Sequence, residues 1–283
     1  MKIAYLVSAY KLPDQLVRLV GRLREGDAHV VVHVDRKTPQ RVFDEMTNGT
    51  RDLGGVDFVE RHPSHWGGFG HVRATLKCLD RLYADGVQFD YAVLLTGQDY
   101  PIRSAAAIER ALTGANGRSY MSYWPLPHAS WKGRGGLDRV ERWHLVGRRH
   151  LHLALPARRR IPGGLTPWGG SPYWCLAHDA ADYVHRFVGA NPDFVSFFQH
   201  VWIPDEIFFQ TILLNSPLRD DVVNDNLRYI DWSRLPAPAI LGADDYEAIV
   251  GSTALFARKF DPTLDAAVLD MLDRHADALD HGP

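Results

Sequence analysis

Residues 3–8 read IAYLVS, and residues 28–35 read AHVVVHVD. Both segments are apolar and rich in β-branched residues, as expected for strands that are buried on both faces of a sheet. Between them, residues 14–23 carry apolar side chains at helical spacing, with Asp14 as the predicted N-cap. Strand, helix and strand therefore follow one another in a βαβ unit, which predicts an α/β fold with a mostly parallel sheet flanked by helices.

The same alternation continues through the first half of the chain. Residues 56–59 and 91–95 predict further strands, and residues 71–83 and 105–112 predict helices. The predicted strands end in loops that hold Asp, Gly or aromatic residues, and ligands of open α/β sheets bind at that edge. Residues 1 to about 125 are therefore interpreted as a nucleotide-binding half.

The second half is less regular. Residues 124–168 are rich in Arg and Trp and show weak periodicity, which indicates a long connection that serves as a lid or binding loop. The pair Arg148-Arg149 and the run 158–160 could face phosphate, an anionic acceptor or water, and a solvated face is the favoured interpretation. Beyond this segment the patterns predict strands and helices in the segments 172–176, 179–188, 222–232 and 263–278.

Residues 203–215 have the pattern of a helix that begins at Pro204. Two carboxylates, Asp205 and Glu206, follow where the helix macrodipole is positive, and apolar residues recur behind them at helical spacing. Two interpretations of Glu206 are open at this point. It either satisfies a backbone N–H of a packed helix, or it is a carboxylate at the lip of a pocket that acts as a base.

Composition and motifs exclude several classes of function. The net charge of −2 gives no overall attraction to nucleic acid or an anionic surface, and two distant cysteines argue against a disulfide scaffold. The chain has no Walker A sequence, no Gly-x-Gly-x-x-Gly after the first strand, no Gly-x-Ser-x-Gly and no His-Glu-x-x-His. Because no signal peptide or run of 18 apolar residues occurs, we expect a cytoplasmic protein. Peripheral contact with the inner face of the membrane remains open.

The remaining features suit a sugar nucleotide. Aromatic side chains stack on sugar rings, and the second half is rich in them. The strand end at residues 97–99 carries one carboxylate, Asp99, where metal-dependent transferases have an Asp-x-Asp pair. Arg258 and Lys259 could instead neutralise a diphosphate directly. A metal pair at Asp225 and Asn226 is disfavoured.

Short motifs spread over most of the chain resemble those of glycosyltransferase family 14. This family contains the core-2/I-branching N-acetylglucosaminyltransferases and the peptide O-xylosyltransferases. The matching segments occur in family order and are Tyr5-Leu6-Val7, His33-Val34-Asp35, Trp66-Gly67-Gly68, LTGQDYPI at 95–102, Gly170-Ser171, Pro204-Asp205-Glu206, Asn226-Leu227-Arg228 and FARKF at 256–260.

The resemblance implies a single GT-A-like domain, a UDP-sugar donor, inversion at the anomeric carbon and no metal or other cofactor. Residues from about 126 to 283 would then form the acceptor-binding and catalytic half. By match to the motifs, Glu206 is the catalytic base. The implied donor-binding residues are Val7, Ser8, Asp35, Trp66, Asp99, Arg258 and Lys259. Those placed on the acceptor side are Ser171, Trp174 and Trp232.

The expected acceptor is a hydroxyl of a glycan, glycolipid or other glycoside, and the donor sugar is xylose or N-acetylglucosamine. Pro172 stands where the xylosyl branch of the family has an acceptor-contacting Asp, which argues against a protein serine. No nucleic acid partner is expected. The alternative hypothesis is a non-catalytic protein that binds a sugar nucleotide or glycan on the same fold.

Overall fold

The computed structural model of the chain describes residues 1–147, 151–233 and 237–280, with side chains to residue 278. In these ranges the strands are β1 (Ile3–Ala9), β2 (His29–Val34), β3 (Val56–Phe58), β4 (Tyr91–Thr96), β5 (Asp99–Pro101), β6 (Ser119–Pro125), β7 (Arg142–Val146), β8 (His152–Arg158), β9 (Trp168–Ala177), β10 (Val222–Val223), β11 (Arg228–Ile230) and β12 (Phe256–Arg258). The α-helices are α1 (Pro13–Leu23), α2 (Gln40–Thr50), α3 (Gly70–Ala84), α4 (Ala105–Thr113), α5 (Lys132–Gly135), α6 (Leu137–Glu141), α7 (His178–Ala190), α8 (Pro192–Phe198), α9 (Phe208–Leu214), α10 (Tyr246–Val250) and α11 (Ala267–Asp280).

The central sheet of the described chain has seven strands in the order β10-β6-β9-β4-β1-β2-β3. Strands β4, β1, β2 and β3 are parallel to one another, whereas β9 is antiparallel to both of its neighbours, β4 and β6. Helices cover both faces of this sheet. The predicted α/β fold with a mostly parallel central sheet is therefore confirmed.

Alternating side chains of β1 enter two different hydrophobic cores. Tyr5 and Val7 pack on one face of the sheet with apolar residues of α1, α4 and α11. Ala4 and Leu6 pack on the other face with α3, α7, α8 and α9. Both faces of β1 are thus buried, which explains the continuous apolar run of its sequence.

Three parallel strands bring their carboxyl ends to one edge of the sheet. The N–H of Gly97, just after β4, donates to the carbonyl of Ser8 in β1 at 2.9 Å. The N–H of Asp35, just after β2, donates to the carbonyl of Ala9 at 2.9 Å. Polar residues that follow these strands therefore meet at this edge, where open α/β sheets bind their ligands.

A small second sheet, β11-β12-β5, adds residues from the C-terminal part of the chain to the same edge. Strand β12 is antiparallel to β5, and the register places Arg258 directly opposite Asp99. Two positions 159 residues apart in sequence are therefore cross-strand neighbours.

Several predicted elements differ from those in the structure. Residues 203–215 do not form one helix, because a 3₁₀ turn at Pro204–Glu206 precedes α9. Helix α1 begins at Pro13 with Leu12 at the N-cap position, so Asp14 lies in its first turn instead. The Arg- and Trp-rich segment is not an irregular connection, since it contains the β7–β8 hairpin. Arg148 and Arg149 lie outside the described residues.

Candidate active site

An open cleft of about 410 Å³ lies at the carboxyl edge of the central sheet. Seven of the eleven site residues predicted from the sequence line it, and these are Ser8, Asp35, Trp66, Glu206, Trp232, Arg258 and Lys259. They come from the ends of strands in both sheets, from the loops that follow them, and from the turn before α9. The sequence motifs are therefore gathered in one place by the fold.

The turn that carries Glu206 is held by an unusual backbone conformation. Ile203 has a φ of 52° and a ψ of 58°, in the left-handed region that β-branched residues rarely adopt. Its N–H donates to the carbonyl of Gly67 at 2.8 Å, and the N–H of Glu206 in turn donates to the carbonyl of Ile203 at 3.3 Å. The Trp66-Gly67 turn thus fixes the position of the carboxylate.

Burial makes Glu206 a weaker acid than a solvent-exposed glutamate. Removal from water and the neighbouring carboxyl of Asp205 both raise its pKa, and the cation of Arg139 opposes them, so that the pKa is about 7. Burial also raises the pKa of Asp205. A carboxylate whose pKa lies near the operating pH is suited to take up a proton during a reaction.

Arg139 is the main partner of Glu206. Its Nη1 donates to Glu206 Oε2 at 2.8 Å, and both side chains are largely withdrawn from solvent. The guanidinium lies 3.8 Å from the ring centroid of Trp131 and 5.5 Å from that of Trp202. These aromatic faces hold the cation in place. No sequence pattern distinguishes Arg139 from the other arginines of its segment.

Besides Glu206, the cleft is lined by the cationic side chain of Arg258. Its Nε donates to Asp99 Oδ1 at 2.8 Å, and Asp99 also accepts from the N–H and the hydroxyl of Thr96 at 2.7 and 3.1 Å. The guanidinium lies 4.3 Å from the ring centroid of Tyr173. Asp99 is fully buried and does not line the cleft, so it orients Arg258 from behind.

Lys259 and Lys11 add positive charge beside Arg258. Burial and the nearby cations Arg258 and Lys11 lower the pKa of Lys259. Lys11 pairs with Asp261 at 2.7 Å, whereas no described carboxylate lies within 4.0 Å of the Lys259 ammonium. This part of the cleft therefore holds more cations than carboxylates, which favours an anionic ligand.

The remaining lining residues combine polar groups with exposed rings. Asp35 accepts hydrogen bonds from the N–H groups of Lys37 and Ser64, at 2.8 and 3.3 Å, and so shapes its own turn. Trp66 and Trp232 are 67% and 54% exposed, which is high for tryptophan. Exposed indole faces beside polar groups suit the stacking of a sugar or a base.

A family model described as Core-2/I-Branching enzyme matches residues 3–249. The chain belongs to this family. The predicted resemblance is therefore confirmed, and the family is one of glycosyltransferases.

The chain is also similar to curated members of this family. It is 25% identical to xylosyltransferase 2 of Rattus norvegicus over 299 residues, which covers 97% of the chain and 34% of that protein. It is 25% identical to xylosyltransferase 1 of Canis lupus familiaris over 297 residues, which covers 96% of the chain and 30% of that protein. The chain thus spans about a third of the length of these relatives.

A match to S. aureus TarS in complex with UDP-GlcNAc covers 43% of the chain and 34% of that structure, at 15% identity and a TM-score of 0.33. This similarity is too weak to bear on function.

Four predicted residues of this branching-enzyme family member do not line the cleft: Val7, Asp99, Ser171 and Trp174. Val7 and Trp174 are fully buried in the two cores. Ser171 accepts a hydrogen bond from Asn226 at 2.9 Å, so the Gly-Ser and Asn-Leu-Arg motifs contact each other. These positions support the walls of the cleft.

Among the residues that the structure describes, no group of three His, Cys, Asp or Glu side chains is arranged to hold a metal ion. The expectation of metal-free chemistry stays a prediction. No helix in the described ranges is long and apolar enough to cross a membrane.

Proposed function

We propose that this branching-enzyme family member transfers a sugar from a UDP-sugar to a hydroxyl of a glycan, glycolipid or other glycoside, with inversion and without a metal. One observation carries the proposal. A carboxylate with a pKa near neutrality, Glu206, and a cationic pair, Arg258-Lys259, line the same cleft at the carboxyl edge of the sheet. A base and a site for a leaving anion are the two groups that such a displacement requires.

The reaction would be a single displacement at the anomeric carbon. The acceptor oxygen forms a bond to that carbon while the bond to the diphosphate oxygen breaks, and UDP leaves with the electron pair. Glu206 takes the acceptor proton and later releases it to water. Arg258 and Lys259 stabilise the charge that grows on the departing diphosphate, an interaction that is stronger in the transition state than in the ground state.

The surrounding residues support a division of the cleft. Ser8, near the end of β1, and Asp35, just after β2, both line the cleft. The motif resemblance supports them as contacts of the uridine. Trp66 contacts Trp202 edge-to-face at a centroid distance of 6.1 Å. Trp66 lies on the turn whose Gly67 carbonyl accepts a hydrogen bond from the N–H of Ile203. The donor sugar would therefore lie beside Trp66, close to Glu206. Either xylose or N-acetylglucosamine is consistent with the family.

The decisive experiment measures UDP release from UDP-xylose, UDP-GlcNAc, UDP-glucose and UDP-galactose, each with and without EDTA. The donor that is turned over is then tested with the Glu206→Gln variant, and Glu247→Gln, an exposed carboxylate on α10, serves as the matched control. We expect Glu206→Gln to lose ~10²–10⁴-fold in rate because the general base is removed. The control should keep the rate of the unmodified chain.

Three outcomes would count against this proposal. Near-normal turnover by correctly folded Glu206→Gln would show that Glu206 is not the general base. Inhibition by EDTA would contradict metal-free transfer. Binding of a UDP-sugar without release of UDP under any condition would favour the non-catalytic binding protein instead.

A further inference from the structure

The β7–β8 hairpin has one apolar face. The antiparallel register places Trp143 opposite Leu155 and Leu145 opposite Leu153. Because side chains alternate across a strand, these four residues lie on the same side of the hairpin. All four are exposed, by 38–50% of their surface, and Leu151 just before β8 is 65% exposed. The hairpin thus presents a continuous row of large apolar side chains to solvent.

On the opposite face of the hairpin, His144 is buried against the protein, whereas all residues of β8 are exposed. The rings of His144 and His152 stack at a centroid distance of 5.1 Å, and His152 stacks on Trp202 at 4.7 Å. The N–H of His144 donates to the carbonyl of His200 at 2.9 Å. These contacts fix the hairpin in orientation, so the outward direction of the apolar row is set by the fold.

The distribution of exposed apolar side chains is uneven. Nine large apolar residues of the described chain are markedly exposed. Three of them, Tyr10, Trp66 and Trp232, line the cleft, and five belong to the hairpin segment. Only Leu264 lies elsewhere among the described residues. A second surface, separate from the cleft, is therefore open for contact with a partner.

Strong positive charge accompanies this apolar row. Residues 142–160 contain six Arg, and no Asp or Glu occurs anywhere in residues 142–178, although the whole chain has a net charge of −2. Of these arginines, Arg142, Arg158 and Arg160 are exposed, and Arg142 lies opposite Arg158 at the base of the hairpin. Among the described residues, exposed arginines therefore lie at the base of the hairpin, next to one end of the apolar row.

We propose that this face of the hairpin binds the surface of an anionic lipid bilayer. Leu145, Leu153 and Leu155 enter the interfacial region, and the exposed arginines contact lipid phosphates. Interfacial elements of bound proteins combine apolar side chains with Arg and Lys in this way, because hydrophobic burial and attraction to anionic lipid act together.

Two other occupants fit less well. A second copy of the chain would bring its own arginines against these, and like charges at a shared interface oppose association. A nucleic acid would contact the arginines but leave the leucine row exposed to water, which gives no gain from apolar burial. A bilayer satisfies both features at once.

The hairpin is coupled to the cleft through Trp202, which also lies beside Arg139, the partner of Glu206. Bilayer binding would bring the cleft close to lipid head groups. This consequence, which rests on the proposed function, favours a glycolipid as the acceptor class. Bilayer binding itself can be tested without donor or acceptor, so the two proposals fail separately.

The test is co-sedimentation of the full chain with vesicles. Vesicles of equal parts phosphatidylcholine and phosphatidylglycerol are compared with vesicles of phosphatidylcholine alone, at low and high salt. We expect binding to the anionic vesicles that weakens with salt. Leu153→Ser combined with Leu155→Ser should bind at least ~10-fold more weakly because apolar burial is lost. Arg158→Gln with Arg160→Gln should lose about fivefold for each arginine.

Matched controls separate this face from general surface effects. Leu264→Ser removes an even more exposed leucine outside the hairpin, and Arg41→Gln with Arg186→Gln removes two exposed arginines on helices. All variants alter exposed residues, and an unchanged melting temperature confirms folding. Absence of binding to anionic vesicles at low salt overturns the proposal. So does an equal loss in the controls, or self-association that the leucine variants abolish without any vesicle binding.

Discussion

Arg139 Nη1 lies 2.8 Å from Oε2 of Glu206, which lines the cleft, and both side chains are largely withdrawn from solvent. The guanidinium favours the ionised carboxylate, whereas burial and Asp205 favour the protonated form. The pKa of about 7 is the balance of these effects. Arg139 therefore keeps the proposed base from becoming too weak an acid to ionise at neutral pH.

The pH dependence of transfer should report this balance. Glu206 acts as a base only when ionised, so kcat/KM should rise about tenfold per pH unit below the pKa and level off above about 7. In Arg139→Gln the cation that lowers the pKa is lost, so the midpoint should move to higher pH. Arg134→Gln, which removes a more exposed ion pair with Glu141, is the control and should leave the midpoint in place. Superimposable profiles for all three proteins would contradict the assignment.

Replacement of Lys259 should affect turnover more than binding. Its ammonium has no described carboxylate partner within 4.0 Å and lies beside Arg258 in the cleft. We expect Lys259→Gln to lower kcat by ~10²–10³-fold with a smaller change in KM, because the diphosphate gains charge only as the bond breaks. Lys2→Gln, at an exposed position outside the cleft, should leave both constants unchanged. An increase in KM alone would show that Lys259 only binds the ground state.

Asp99 should be important for stability as well as for activity. It is fully buried and accepts from Arg258 and twice from Thr96. Asp99→Asn removes the charge that faces the largely buried guanidinium, and we expect the free energy of unfolding to fall by about 2–3 kcal/mol. Asp244→Asn, an exposed control, should change it by less than about 0.5 kcal/mol. Urea unfolding measures both values, and equal stability of the two variants would refute the role of Asp99.

Two glycines should respond in opposite ways to alanine. A Cβ on Gly170 would lie 1.9 Å from the carbonyl oxygen of Ser122 in the neighbouring strand, so Gly170→Ala must separate β9 from β6. We expect a loss of about 3 kcal/mol or more in the free energy of unfolding. A Cβ on Gly21, within α1, would have no atom within 4 Å, so Gly21→Ala should stabilise the chain by up to about 1 kcal/mol. Thermal unfolding that ranks the variants in the reverse order would contradict this packing.

The buried parallel strands were predictable because a strand covered on both faces must be apolar along its length. Residues 3–8 and 28–35 carry that pattern, and the structure places β1 and β2 within one residue of those limits. Strand β6 and helices α2 and α8 were not predicted. Strand β6 buries only Ser119 and Met121, and α2 buries only Met46 and Thr50, so neither pattern is strong.

The cleft was predictable only as separate motifs. Most of the motif residues do converge, yet nothing in the sequence indicates that Asp99 is opposite Arg258, because that contact depends on the register of β5 with β12. The role of Arg139 could not be predicted from the sequence either. Its guanidinium is held beside Glu206 by the rings of Trp131 and Trp202, and these contacts appear only in the folded chain. Long-range contacts of this kind have no local signal.

The position of β9 has a consequence for how the chain can be divided. This strand comes from the second half of the sequence but pairs with β4 of the first half, with Val93 opposite Cys175. A fragment that ends at residue 125 would leave the apolar edge of β4 without its partner, and free edges of that kind recruit other chains. We therefore expect the two halves to unfold together in one cooperative step. Neither half would be obtained as a monomeric, autonomously folding unit.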